Sequence, residues 1–572
     1  MKIKYMAFAA ALLLNVSVFA QHNEEVTIEG SYRPKVNKVD KILLKPDIPK
    51  QVFTIPEAEV KVLDIEHRFN LNMDKISPVN YNVKKDSRED VSNNFLMAGF
   101  GSRISPVFLY RHNSKLGRNL GFGLGLKHFS SWLDIKDYAP SGFMNNAIEM
   151  SLVRNKPNKA QVVGNVYYKN DNYHYYGIRL PEWTGDSISL AHGAPRQVYN
   201  TVGAHYGVSS TTTRQGESLH DLDIDYHYLF GKVGDSKEHH AKLDYDLGYA
   251  KSWWGKKEYP QKIGVAMGAQ YVFNEFMEQK GDNRLLVNVR PYFEMKNEYF
   301  RLHLGAILDG ATSFKSTKGL FAAYPDVQGS LYVLQNCLEF YAGVDGGRKL
   351  FTFSDLIEEN PFVSTRVQMA VTNVKLGFEG GFRANIVNKV DFHVGVRYRQ
   401  TENDYFYRQR YTAAFDGMGM DRPVNSFDVI YDDTRTVNVL GNIRWKIIDG
   451  LTMDANFDYN QCDPSKEEHA WYRPKTEGSL GVNYQIIDEL SVNAAFLYRG
   501  GLWAQQASKT SPTYKTVKMD DVYDLGFGVD YEPVDKLTIF LKADNLLHKK
   551  YQLYLDYPVS GIEFFAGLKL AF

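Results

Sequence analysis

Beyond its first twenty residues the chain has no apolar run of about 18 residues, the length a helix needs to cross a bilayer. Membrane crossing by helices is therefore not expected. Cysteine is nearly absent, with 2 in 572 residues, so a disulfide-built scaffold is excluded. Cys337 and Cys462 lie far apart and are taken as free or incidental, with a disulfide left open in an oxidising compartment. Charge of one sign is not in excess: Lys plus Arg number 67 and Asp plus Glu number 67, which removes the electrostatic case for nucleic acid. No glycine-rich loop of the phosphate-cradling kind is present. Gly346-Gly347, Gly380-Gly381 and Gly500-Gly501 fit strand twisting and loop edges instead. Serine and histidine are scattered without a nucleophile, a base and a group to orient it, so no enzyme activity and no cofactor are expected. His239-His240 after Glu238, and His469 with Glu467, Glu468 and Cys462, lack a spacing that fixes coordination geometry. No metal is expected there.

What the chain does have begins with Met1-Lys2-Ile3-Lys4, an apolar run from Met6 to Leu14, and Val18-Phe19-Ala20 ahead of Gln21. A basic start, a short apolar core and a small residue make residues 1–20 a secretory signal peptide. No cysteine sits near that junction, so an N-terminal lipid anchor is not indicated. Aromatics are abundant at 14%, with 38 tyrosines, although the mean hydropathy of −0.38 looks soluble. A transmembrane barrel has both properties, because its apolar residues occupy alternate positions and its rings collect in two interfacial girdles.

The closing segment shows that alternation. Ile562, Phe564, Ala566, Leu568, Leu570 and Phe572 form one face of a strand; Glu563, Phe565, Gly567, Lys569 and Ala571 form the other. Three further segments, Leu440–Leu451, Leu480–Leu490 and Leu525–Leu537, each run from a strand through a tight Asp-containing turn into the next strand, and Phe382–Val390 is a looser copy. They read as hairpins. Longer polar stretches at 401–424, 461–475, 501–519 and 547–559 separate them. Short turns on one side and long loops on the other orient an outer-membrane barrel with its Asp turns in the periplasm. The same rhythm continues back through turns near Asn155–Asn158, Gln215–Ser218, Trp253–Tyr259 and Asn297–Tyr299. The expected fold is an all-β, antiparallel transmembrane barrel of about 22 strands over 93–572. Arg383, Lys542, Asp544, Glu563 and Lys569 are placed facing the lumen, since a basic residue against lipid costs about 2–4 kcal/mol at the midplane.

The segment Asp544-Asn545-Leu546-Leu547-His548-Lys549-Lys550-Tyr551, followed by Tyr557-Pro558-Val559-Ser560-Gly561 and a strand ending on Phe572, resembles the C-terminal end of TonB-dependent outer-membrane receptors. Asn545, Tyr551, Tyr557, Pro558, Gly561 and Phe572 carry the resemblance. It covers the barrel and implies 22 strands, integral residence in the bacterial outer membrane and contact with its lipids. It departs from the family at the N-terminus, where that family has a folded plug. Residues 21–92 hold Pro34, Pro46, Pro49, Pro56 and Pro78 among many lysines and are expected to form an extended periplasmic or lumenal arm without a folded plug. Within it Glu25, Val26, Thr27 and Ile28 resemble a TonB box, the strand through which such receptors pair with an energising partner. Aromatics in the loops, among them Tyr175, Trp183, Tyr405, Tyr407, Trp471 and Trp503, are candidates for binding a ligand or partner or for the outer girdle.

Two functions follow from the resemblance and the missing plug. One is transport of solutes across the outer membrane or a partner-gated conduit. The other is a structural or assembly subunit that docks a surface lipoprotein, a periplasmic partner or another outer-membrane protein. A lumen of this width needs filling by the arm, by loops or by another subunit.

Overall fold

The computed structural model describes residues 92–572 apart from 158, 183–195, 212–215, 277–278, 314–320, 335–336, 413–423 and 509–512. The expected signal peptide, the arm up to residue 91 with Glu25–Ile28, and Trp183 lie outside the described residues.

Twenty-two antiparallel strands close into a barrel. The first, Asn94–Gly101, pairs with its sequence neighbour Ser105–Gly117 on one side and with the last, Glu563–Ala571, on the other. Where the ends meet, the Asn94 N–H donates to the Phe572 carbonyl at 2.8 Å and the Phe572 N–H donates to that of Asn94 at 3.0 Å. Closure leaves no sheet edge, which is the condition for β-structure in hydrocarbon.

Burial along the strands is inverted relative to a soluble sheet. In Phe143–Lys156, Ile148, Met150 and Leu152 are exposed while Asn145, Glu149 and Ser151 are buried. The last strand repeats this, with Phe564, Leu568 and Phe572 at least half exposed and Glu563 buried. Such a surface is stable only against lipid, so the chain is an integral outer-membrane barrel. The charged residues expected in the lumen are there: Lys569 pairs with Asp530 at 2.7 Å, Lys542 with Asp544 at 2.9 Å, Glu563 with Arg103 at 3.0 Å, and Arg383 lies 4.4 Å over the Tyr341 ring.

The repeated hairpins are two-residue turns. Asp449-Gly450 joins Ile448 to Leu451, Asp488-Glu489 joins Ile487 to Leu490, and Asp535-Lys536 joins Val534 to Leu537. Gly450 at φ 83° and Lys536 at φ 72° take the left-handed backbone in two of these turns. At the opposite rim the barrel is uneven. Strands Val390–Thr412 and Val424–Ile448 have 23 and 25 residues, against 8 and 9 for Leu537–Asp544 and Glu563–Ala571. A tilted strand crosses the membrane in about 9–11 residues, so this long hairpin stands well above the outer surface.

Candidate functional site

The main apolar core of the barrel lies at its outer mouth, formed by the connections between strands. Its central piece is the connection 351–370 between strands Leu338–Leu350 and Val371–Ile386. Thr352 opens a short helix, Phe353–Glu359, through a capping box: the Asp355 N–H donates to Thr352 Oγ1 at 2.9 Å and the Thr352 N–H donates to Asp355 Oδ2 at 2.8 Å. The chain then turns at Pro361-Phe362, where the Val363 N–H donates to the Asn360 carbonyl at 3.1 Å, and runs on as an irregular strap.

This strap is fastened to three sides of the mouth. On the first, Phe353 is fully buried against Phe276 and Tyr199, with ring centroids 5.1 and 5.9 Å away, and the Tyr173 hydroxyl donates to the Pro361 carbonyl. On the second, Val363 forms a parallel bridge with Phe427 of the long hairpin, bracketed by Ser364 N–H to Phe427 O at 2.8 Å and Phe427 N–H to Phe362 O at 3.0 Å. On the third, the last loop contributes Tyr557, whose ring stacks on Phe362 at 3.6 Å, and Tyr554, whose hydroxyl donates to the Glu359 carbonyl at 2.8 Å. Together these contacts join the strap to rings from three parts of the mouth in one aromatic cluster, the cap.

Of the aromatics singled out from the sequence, the five among the described residues sit in or against this cap. Tyr175, Tyr407 and Trp471 are 1%, 2% and 1% exposed, and Tyr405 and Trp503 pack on the same cluster. Their faces meet one another and other cap side chains: Tyr405 lies 4.9 Å from Phe351, and Trp503 stacks on His469 at 4.1 Å. Trp471 donates its indole N–H to Glu467 at 2.8 Å. Burial pushes the Tyr175, Tyr472 and Tyr557 phenols well above their usual range, so they stay neutral at any physiological pH.

The C-terminal signature builds part of the cap. Asn545 takes φ 51° and donates to the carbonyls of Lys549 and Ser560, both at 2.8 Å, closing the loop on itself. Tyr551 donates to Asp524 at 2.6 Å, the Tyr557 hydroxyl to the Asn425 carbonyl, and the Pro558 carbonyl accepts from Tyr176 at 3.1 Å. A Cβ on Gly561 would lie 2.5 Å from the His548 ring. Phe572, 52% exposed, ends the seam on the lipid face.

Outside this core the long hairpin is braced by Arg473. It grips Asp404 with two hydrogen bonds of 2.6 and 2.7 Å, donates to the Tyr405 carbonyl at 2.8 Å and covers the Phe406 ring at 4.6 Å. Below the cap the lumen wall is polar, as at Arg444–Asp454 (2.6 Å), Asn442–Asn456 (2.6 Å) and Tyr341–His393 (2.7 Å). Among the described residues no group of three or more His, Cys, Asp or Glu is arranged to hold a metal, and both cysteines are free.

Sequence reasoning did not single out the strap. Its signal was present as Thr352-x-x-Asp355 ahead of Leu356-Ile357, a capping pattern between two strands.

By sequence, no family model and no curated protein matches the chain. By structure it is similar to the ferric-catecholate import receptor Fiu from E. coli, with a TM-score of 0.60 at 10% identity over 84% of this chain and 82% of that one. It is also similar to the siderophore receptor PirA from Acinetobacter baumannii (TM-score 0.61, 12% identity, 84% and 80% covered). The FrpB iron transporter from Neisseria meningitidis matches equally well (TM-score 0.61, 8% identity, 84% and 82% covered). The barrel thus has the fold of the TonB-dependent outer-membrane receptors.

Proposed function

We propose that this protein is a transport conduit of the outer membrane whose outer mouth is gated by its own loops. The observation that carries this is the strap 351–370, held across the lumen by aromatic contacts and backbone hydrogen bonds from three sides. A wide barrel left open would breach the permeability barrier, and the cap supplies a closure made within the chain. The polar wall beneath it suits hydrophilic solutes such as oligosaccharides or peptides. Fiu, an import receptor, and FrpB, an iron transporter, belong to the same general class.

Replacing 353–369 by a Gly/Ser linker of equal length tests the proposal in planar bilayers. The intact protein should be silent or open rarely, and the linker variant should pass a large, steady current. A linker variant that folds and stays silent would transfer support to the docking role, in which the barrel is a wall for a lipoprotein or another outer-membrane protein.

A further inference from the structure

The strap is held differently along its length. From Phe362 onward most of its partners on the last loop and the long hairpin are rings and backbone groups, with Arg366 also attracting Asp428 of that hairpin. Its first turn is held by buried charge. Glu238, at the outer end of strand Lys237–Lys251, is fully buried on the lumen side. Its carboxylate accepts from the Phe353 N–H at 2.5 Å, the Ser354 N–H at 3.0 Å and Asn274 Nδ2 at 2.7 Å, with His227 at 3.4 Å. Arg284, also fully buried, donates to the Phe351 carbonyl at 3.0 Å and to Asn274 Oδ1 at 2.6 Å, and Asp282 lies 3.7 Å away. Gln270 adds a hydrogen bond to the Leu350 carbonyl at 3.1 Å. Four backbone groups within Leu350–Ser354 are thus gripped by three neighbouring strands.

The two kinds of contact respond differently to displacement. Ring contacts slide and re-form at similar cost, whereas a buried carboxylate that loses its donors must find new ones or regain water. The charged end therefore behaves as an engaged-or-released element, and it meets the strap where the strap leaves the wall. We propose that Glu238 and Arg284, bridged by Asn274, are the latch of the gate, and that the conduit opens when the first turn of the strap parts from them. This rests on the cap being a gate, as proposed above.

Single-channel recording of the full-length protein tests it, with Glu238→Gln, Arg284→Gln, the double variant and, as a comparator, Arg473→Met. Arg473 is part of a charged pair that braces the long hairpin and touches none of the latch residues. Heat-modifiable gel migration shows which variants hold a folded barrel. Each latch variant should raise the open probability about tenfold or more at unchanged unitary conductance. The double variant should exceed the larger single effect little, because the two residues act through one node. Latch variants as quiet as the parent, beside a conducting linker variant, would overturn the latch and leave the gate standing. Equal opening by Arg473→Met would overturn it as well, since general loosening of the cap would then suffice. A silent linker variant removes the gate and the latch together.

Discussion

Single residues decide whether the barrel closes. At the seam, a Cβ on Gly567 would lie 2.3 Å from the Ala98 carbonyl oxygen and 2.6 Å from both Gly99 Cα and the Phe540 ring. Two of these three obstacles are backbone, which cannot rotate away. Gly567→Val should therefore destabilise the folded barrel by about 1–3 kcal/mol or prevent closure, measured as loss of the heat-modifiable form and a lower urea midpoint in vesicles. The alternation in the last strand was legible from the sequence because period-two patterning is local. The need for glycine at position 567 was not, because the obstructing atoms belong to residues 98 and 99, at the other end of the described chain.

At the scale of elements, turns and loops divide by how far their partners lie in sequence. The two-residue turns at Asp449-Gly450, Asp488-Glu489 and Asp535-Lys536 were readable, since a tight hairpin carries its own signal. The long stretches at 401–424, 461–475 and 501–519 were read as loops with aromatic contents, but 401–412 and 461–464 continue strands and Trp503–Ala507 pairs with Tyr514–Lys518 in a short hairpin, because pairing to a neighbouring strand can extend a polar segment beyond the membrane. That these rings bury one another was not readable, because residues 173, 362, 427 and 557 meet only when the barrel brings their loops over one mouth. The brace on the long hairpin is of the same kind. Arg473→Met leaves Asp404 without its two-pronged partner and should weaken the hairpin by about 1–3 kcal/mol. Faster hydrogen exchange over 404–412 and 424–432, with the transmembrane part of the sheet unchanged, is the expected result.

For the whole molecule the solvent is the organising fact. Leu568 faces lipid and is 50% exposed, while its neighbour Lys569 faces the lumen on Asp530. Leu568→Arg should cost about 2–4 kcal/mol if it lies near the midplane and reduce folded protein in the outer-membrane fraction, whereas Lys569→Arg should leave that amount unchanged. The sequence by itself determined the strand period, the positions of the short turns, a strand number of about 22 and which face of the closing strand meets hydrocarbon. These depend on residues within a strand's length and on the penalty for burying charge in lipid. The tertiary structure alone decided that 351–370 is tied to the long hairpin and the last loop at the mouth, and that the C-terminal signature helps to hold it there. Such contacts join loops distant in sequence, as Val363 with Phe427 and Glu359 with Tyr554, and no local pattern records them until the sheet has closed.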